Sequence, residues 1–200
     1  MFRRSFTAHS ASAPALSAAI AALSLVAAVA LAAAPDVAAQ DAVALAIAPI
    51  PTETEQGTAK VIQKQGDEWV TLREGAGPFI CIADDPGADG FHSACYHESL
   101  EPYMARGREL TSQGVTGREN VEMRMAEIEA GTLEMPSYAF LHAIYAGEGW
   151  SGDMDAVLRH QAVIYTPFAT AEDLGLPTSA TRGAWLMGAG TANSHVMITP

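Results

Sequence analysis

Two histidines near the end of the 200-residue chain lead similar apolar runs. His160 begins the run H-Q-A-V-I-Y-T-P, and His195 begins the run H-V-M-I-T-P. Apolar runs of this length are typical of buried strands, so the match predicts two strands that begin at the same edge of a sheet. Neutral imidazoles on neighbouring strands can share a metal ion or act as an acid–base pair. The pattern therefore supports the hypothesis of a divalent-metal site at His160 and His195, with His142 as the candidate third ligand.

A structural role is the alternative for these histidines. A partly buried imidazole is often satisfied by a hydrogen bond to the backbone and has no part in chemistry. The two interpretations differ in one geometric property. A metal or acid–base site requires the imidazoles of His160 and His195 to open on the same pocket, whereas a structural role does not.

The chain contains two cysteines, Cys81 and Cys95, separated by 13 residues. In an oxidising compartment, two cysteines most simply form one disulfide. The bond would close a loop of about 15 residues, which stabilises the fold by about 3 kcal/mol in the chain-entropy model. The rival is a metal site in the spacing H-x-x-C-x-H, formed by His92, Cys95 and His97. This spacing lacks the second Cys-x-x-Cys half of common zinc modules, so we favour the disulfide.

Two further patterns resemble chemical motifs without completing them. Gly149-Trp150-Ser151-Gly152-Asp153 departs from the nucleophile elbow G-x-S-x-G at its last position, so we interpret it as a polar turn. Asp84, Asp85 and Asp89 precede Gly90, but their spacing is not that of a calcium loop. A solvated turn is the more ordinary interpretation of this acidic segment.

The periodicity of the chain predicts an α+β fold with a mainly antiparallel sheet, two or three helices and one disulfide. Gly66-Asp67 separates two short apolar runs and predicts a hairpin, to which Phe79–Ile82 adds a third strand in an antiparallel meander. A helix is predicted over Ser93–Leu110, broken near Pro102, so that Cys95 lies near its start. The remaining strands are predicted over residues 137–146, 160–168, 184–187 and 195–199. The remaining helices are predicted from a capping box at Thr116 to Gly131 and as one turn after Thr170.

The first 39 residues have the three-part pattern of a secretory signal peptide. Arg3 and Arg4 precede the apolar run Ala15–Ala34, and Val37-Ala38-Ala39 supplies small residues for cleavage. The alternative is an uncleaved anchor, because twenty apolar residues can span a bilayer. We therefore predict a signal peptide over 1–39, an N-terminal arm over 40–57 and one globular domain over 58–200. The mature protein is predicted to be periplasmic or secreted, without stable membrane insertion after cleavage.

The charge of the predicted mature chain restricts its partners. Residues 40–200 contain 9 basic and 22 acidic side chains, a formal charge of −13. This balance argues against nucleic acid and anionic membrane surfaces as partners. A small ligand or an envelope partner is compatible with it, but the charge identifies neither.

Several segments of the mature chain resemble a group of exported bacterial proteins to which no activity is assigned. The segments are Trp69–Gly75, Cys81 with Asp85-Pro86, Cys95, Ile164–Pro167, Trp185–Met187 and His195–Ile198. The resemblance covers most of the mature chain and implies export, but no catalytic residue follows from it. We therefore predict a binding or structural module of the cell envelope. The alternative is a metal-dependent or hydrolytic enzyme that uses His160 and His195.

Overall fold

A computed structural model describes residues 37–199, with the side chains of residues 40–198. These residues form one eight-stranded sheet and five helices. The strands are β1 (Lys60–Gln65), β2 (Glu68–Arg73), β3 (Phe79–Ile82), β4 (Phe91–His97), β5 (Ala139–Ala146), β6 (Val157–Tyr165), β7 (Gly183–Met187) and β8 (His195–Thr199). The helices are α1 (Val37–Ile47), α2 (Glu53–Thr58), α3 (Glu101–Ser112), α4 (Gly117–Glu129) and α5 (Ala171–Leu174). The mixed α and β content and the mainly antiparallel sheet are confirmed, but the expected two or three helices are too few.

The strand order is β2-β1-β3-β4-β5-β6-β8-β7, and the pairing of β1 with β3 is the parallel one. The predicted hairpin of β1 and β2 is confirmed, but the three-strand antiparallel meander is wrong. The parallel pairing arises from the connection after β2, which crosses the start of β1 and brings β3 beside it. The backbone N of Gly77 donates to the Thr58 carbonyl at 2.9 Å. A Cβ on Gly75 would lie 2.3 Å from the Lys60 nitrogen, so only glycine permits this close approach.

The segment around Cys95 is a strand, and the helix predicted from Ser93 is wrong over its first half. Ser93, Ala94, Cys95 and Tyr96 are all buried, because β4 is a central strand with both faces covered. Burial on both faces of the sheet decides the conformation here, because only Ala94 of these four residues has a strong preference for helix. The helix α3 begins only at Glu101, with a proline in its first turn as that residue type prefers.

The predicted disulfide between Cys81 and Cys95 is confirmed. It joins β3 to β4, where the two cysteines are directly paired in register, and not a strand to a helix as expected. Both cysteines are fully buried in one cluster with Ala46, Ile50 and Val61. The bond therefore fixes the register of two central strands directly beneath α1.

The sheet has two faces, because directly paired residues project to the same side. The α1 face carries the row Val61, Cys81, Cys95, His142 and Ala162 across five strands. The opposite face packs against α3 and α4, and we call it the α3/α4 face. Its apolar cluster includes Tyr96, Leu100, Tyr103, Leu141, Val163 and Met197.

The predicted N-terminal arm is part of the core. Residues 40–57 contain most of α1 and α2, and Ala46 and Ile50 are at most 1% exposed. The predicted cleavage site after Ala39 lies inside α1, while residues 1–36 of the predicted signal peptide lie outside the described residues. Among residues 37–199, no helix is long and apolar enough to cross a membrane.

Candidate functional site

The structure does not bring His160 and His195 together. Tyr165 pairs with His195 across β6 and β8, so His160 lies five residues further along β6. This offset is about 17 Å along a strand, and an odd offset also reverses the face. His195 therefore projects to the α3/α4 face and His160 to the α1 face. The predicted shared pocket of this pair does not form, which corrects the geometry on which the metal hypothesis depended.

His195 has the environment of a structural histidine. Its ring lies 5.2 Å from that of Tyr165, and its Nδ1 is 2.7 Å from the Asn193 carbonyl oxygen. Desolvation by burial lowers the pKa of His195, and the backbone hydrogen bond at Asn193 opposes this shift. The neutral ring that results donates Nδ1–H to the carbonyl and closes the turn before β8.

The histidines that do meet are His142 and His160. His142 is on β5 and pairs with Ala162, so that His160 is its diagonal neighbour on the α1 face. The two ring centroids lie 5.7 Å apart, with the ring planes inclined by 29°. The sequence indicated both residues but not this pairing, because the pairing depends on the register between β5 and β6.

The surroundings of His142 keep its imidazole neutral. The side chain is 8% exposed, and the edge of the Phe140 ring lies against it at 4.1 Å between centroids. Desolvation by burial, and then the neighbouring charge of His160, lower the pKa of His142 to about 4; the carboxylate of Glu55 opposes this. Neither ring nitrogen of His142 has a hydrogen-bond partner among the described residues, and the same holds for Nε2 of His160. One nitrogen of a neutral imidazole carries a free lone pair and is a potential metal ligand.

The other metal and nucleophile patterns are not assembled. Cys95 is in the disulfide and His92 projects to the other face of the sheet, which excludes the H-x-x-C-x-H site. Asp85 is hydrogen-bonded to Lys64 and to the Gly87 amide, as expected of a structured turn. Ser151 is exposed in the loop before β6. Within residues 37–199, no three His, Cys, Asp or Glu side chains cluster as a metal-binding group.

A second candidate site is a cleft between α3, α4 and the side chain of Trp69 on β2. Its volume is about 270 Å³, and it lies at the edge of the α3/α4 face. The residues that line it are Trp69, Met104, Gly107, Arg108, Thr111, Gly117, Asn120 and Arg124. Two of these are arginines, and none of the described lining residues is acidic.

Arg108 is a fixed wall of the cleft. Its Nη2 binds the Glu101 carboxylate at 2.5 Å, and its Nη1 donates to the Tyr96 hydroxyl at 2.9 Å. The guanidinium carbon lies 5.5 Å from the centre of the Trp69 ring, within range of a cation–π contact. Arg108 is thus already neutralised, and its role in the cleft is to hold the indole ring.

Arg124 is the cation of the cleft that has no carboxylate partner among the described residues. It lies 4.0 Å from the Tyr103 ring centre, and Nη1 donates to the Tyr103 carbonyl at 3.3 Å. Glu127 is held by Arg106 in a bidentate contact, which lowers the pKa of Glu127; Arg124 lowers it further by charge alone. The guanidinium of Arg124 therefore keeps its charge and part of its hydrogen-bonding capacity available.

Asn120 and the start of α4 complete the cleft. Asn120 is 5% exposed, and its Nδ2 donates to the carbonyls of Gly107 and Val115, which ties α4 to the end of α3. Its Oδ1 has no hydrogen-bond partner in the described part of the chain. Thr116 precedes the helix, but the predicted capping box does not form, because its side chain makes no capping hydrogen bond. The first-turn amides of α4 therefore have no side-chain cap from Thr116 beside the cleft.

Sequence reasoning missed this cleft. The signals were Trp69 and the arginines of two successive helices, but Arg108 and Arg124 are separated by a turn whose geometry the sequence does not reveal. Comparison of the chain with models of known protein families, with curated proteins and with solved structures finds no match. Function is therefore inferred from the geometry of these two sites.

Proposed function

We propose that this chain is an exported binding module of the cell envelope that takes a small organic anion in the cleft of Trp69 and Arg124. The observation that carries the proposal is the guanidinium of Arg124, which lines the cleft and has no carboxylate partner among the described residues. Export is supported by the signal-peptide pattern at the N-terminus, by the resemblance to exported proteins and by the buried disulfide.

The charge of the cleft is opposite to that of the chain as a whole. The full chain carries 23 acidic and 11 basic residues, yet the described residues that line the cleft are basic, polar or apolar. A guanidinium presents its donors in a planar fork that matches a carboxylate. The uncapped amides of the first turn of α4 add further donors and a positive helix dipole. These groups together favour a carboxylate.

Trp69 restricts the ligand further. The flat face of Trp69 offers apolar contact area in the same cleft. A cavity of about 270 Å³ is small, and it suits a molecule of the size of an amino acid or a hydroxy acid.

The alternative function required His160 and His195 to cooperate as a catalytic or metal-binding pair. His195 on β8 lies level with Tyr165, five residues from His160 along β6, and the two histidines project to opposite faces of the sheet. The pair therefore has no common substrate position. Binding is therefore the function that the geometry supports best.

Calorimetry on the chain 40–200 tests the proposal. The probes are L-lactate, L-alanine and L-phenylalanine, each compared with its amide. At least one acid should bind better than its amide, because the amide cannot pair with the Arg124 charge. Arg124→Gln should weaken that binding by about 10- to 100-fold, the value of a charged hydrogen bond.

The matched control is Arg118→Gln, which removes the same charge from an exposed position on the same helix. It should bind as the unaltered chain does. Near-ultraviolet circular dichroism establishes that each variant is folded. Equal binding by acids and amides, or equal loss in both variants, would contradict the proposal.

A further inference from the structure

Another cleft lies at the end of the sheet where β4 ends and β5 begins, and we call it the Tyr138 cleft. Its volume is about 360 Å³, within the range of about 300–1,000 Å³ that is typical of small-molecule sites. Imidazole, hydroxyl and aromatic groups line it, from His97, Ser99, Ser137, Tyr138 and Phe140. No Asp, Glu, Lys or Arg is among the lining residues, so this cleft differs in charge from the arginine-lined cleft of Trp69.

The ring of His97 is held in one tautomer. The backbone N of Ser99 donates to Nδ1 of His97 at 3.2 Å, so Nδ1 accepts and the neutral ring carries its proton on Nε2. The Ser99 hydroxyl lies 2.8 Å from the same Nδ1. The Phe79 ring meets the imidazole edge-on, with 6.2 Å between the centroids and 85° between the planes. His97 therefore brings a positioned N–H donor to the lining of the cleft.

Tyr138 gives the cleft an exposed aromatic ring. Tyr138 is 74% exposed, and the half-buried Phe140 belongs to the same lining. A single exposed aromatic residue is common on protein surfaces and needs no explanation. Here, however, the exposed ring stands in a formed cleft together with the hydroxyl groups of Ser99 and Ser137. Aromatic surface combined with a few convergent polar groups is typical of a ligand site.

The lining selects the chemical class of the ligand. A charged ligand would lose hydration without gaining an opposite charge, because the lining holds no carboxylate, ammonium or guanidinium group. A purely apolar ligand would remove water from the polar groups of His97, Ser99 and Ser137 without replacing its hydrogen bonds. A sugar ring meets both conditions. Its C–H groups form a flat apolar face that packs on an aromatic ring, and its hydroxyl groups both donate and accept hydrogen bonds.

We propose that the Tyr138 cleft binds a neutral saccharide, with the face of a sugar ring against Tyr138 and a sugar hydroxyl accepting from Nε2–H of His97. The site is separate from the proposed anion site. His97 and Phe140 lie two residues from Cys95 and His142 along their strands, so they project to the α1 face, whereas the cleft of Trp69 lies at the edge of the α3/α4 face. The two clefts share no lining residue.

Saturation-transfer nuclear magnetic resonance on the chain 40–200 tests the proposal. The probes are maltose, cellobiose and N,N′-diacetylchitobiose, and sorbitol is the acyclic control, because it has hydroxyl groups but no ring face. We expect transfer from the protein to the ring protons of at least one disaccharide and none to sorbitol. Tyr138→Ser should weaken that binding by about 10-fold, the value of an aromatic contact.

The matched control is Phe168→Ser, because Phe168 is also an exposed aromatic residue but does not line the cleft. It should bind as the unaltered chain does. Tyr138 is so exposed that its replacement should leave the fold intact, and an unchanged midpoint of thermal unfolding establishes this. No transfer to any disaccharide, equal transfer to sorbitol, or equal affinity in the Tyr138→Ser and Phe168→Ser variants would overturn the proposal. None of these outcomes bears on the anion site, which contains neither residue.

Discussion

At the scale of single residues, the five histidines of the described part of the chain are separated by the face of the sheet on which they project. His97, His142 and His160 are on the α1 face, whereas His92 and His195 are on the other face. The sequence echo around His160 and His195 indicated two strands correctly, although in β6 only Val163 is buried. It did not indicate their register, because β8 pairs with the far end of β6 and runs antiparallel to it.

His142 should make the stability of the fold depend on pH. Its pKa falls from 6.5 in the unfolded chain to about 4 in the folded one, so between these values the unfolded chain binds more protons. The contribution of His142 to the free energy of unfolding is therefore fully present above about pH 6.5. It is lost as the pH falls to 4, which lowers the free energy of unfolding by about 3 kcal/mol. Urea unfolding at pH 7.5 and pH 4.5, in the presence of a chelator, measures the decline.

His142→Phe should remove most of that decline, because phenylalanine does not titrate. Burial also lowers the pKa values of His92 and His195, so a smaller slope of the same sign should persist. The prediction is contradicted if the variant and the unaltered chain lose the same free energy of unfolding between pH 7.5 and pH 4.5. That result would show that folding does not lower the pKa of His142.

At the scale of elements, most strands were predictable from the sequence, but the strand before α3 was predicted as a helix. Alternating and apolar runs indicated β1, β2, β3, β5 and β8 near their observed positions. The segment Phe91–His97 was missed because its small residues have no strong preference for strands and its burial depends on both layers. The parallel pairing of β1 with β3 was missed because it depends on close contact of Gly75 with the backbone at Lys60.

The disulfide between β3 and β4 should contribute substantially to stability. Replacing both cysteines, as Cys81→Ala with Cys95→Ala, should lower the free energy of unfolding by about 2–5 kcal/mol. Alanine is preferred to serine because both positions are fully buried and a hydroxyl there would lack a partner. Denaturant unfolding of the oxidised, reduced and doubly substituted chains measures the difference, and equal midpoints in all three would contradict the expected contribution.

At the scale of the whole molecule, the fold class and the disulfide were predictable, but the extent of the domain was not. The contacts of α1 with the sheet come from residues after Ala39, such as Val43 and Ala46. Cleavage after Ala39 should therefore leave an eight-residue helix that still covers the disulfide. The cleft was unpredictable because it forms where two helices and an edge strand meet.

Export should produce a mature N-terminus at Gln40 or Asp41. N-terminal sequencing of the protein recovered from the periplasm or the medium measures this directly. We expect the chain 40–200 to retain the full stability of the sheet, since α1 keeps its buried residues. A protein that retains Met1 and sediments with membranes would show that the leader is not removed.

The most direct test of the proposed binding site is a nuclear magnetic resonance titration of the nitrogen-15-labelled chain 40–200. The probes are the three acids and their amides used in calorimetry. We expect an acid to shift the indole signal of Trp69 and the amides of Gly107, Gly117 and Asn120, with its amide shifting them less. Shifts that occur elsewhere in the molecule, or no shift with any acid at millimolar concentration, would contradict the assignment of the cleft as the binding site.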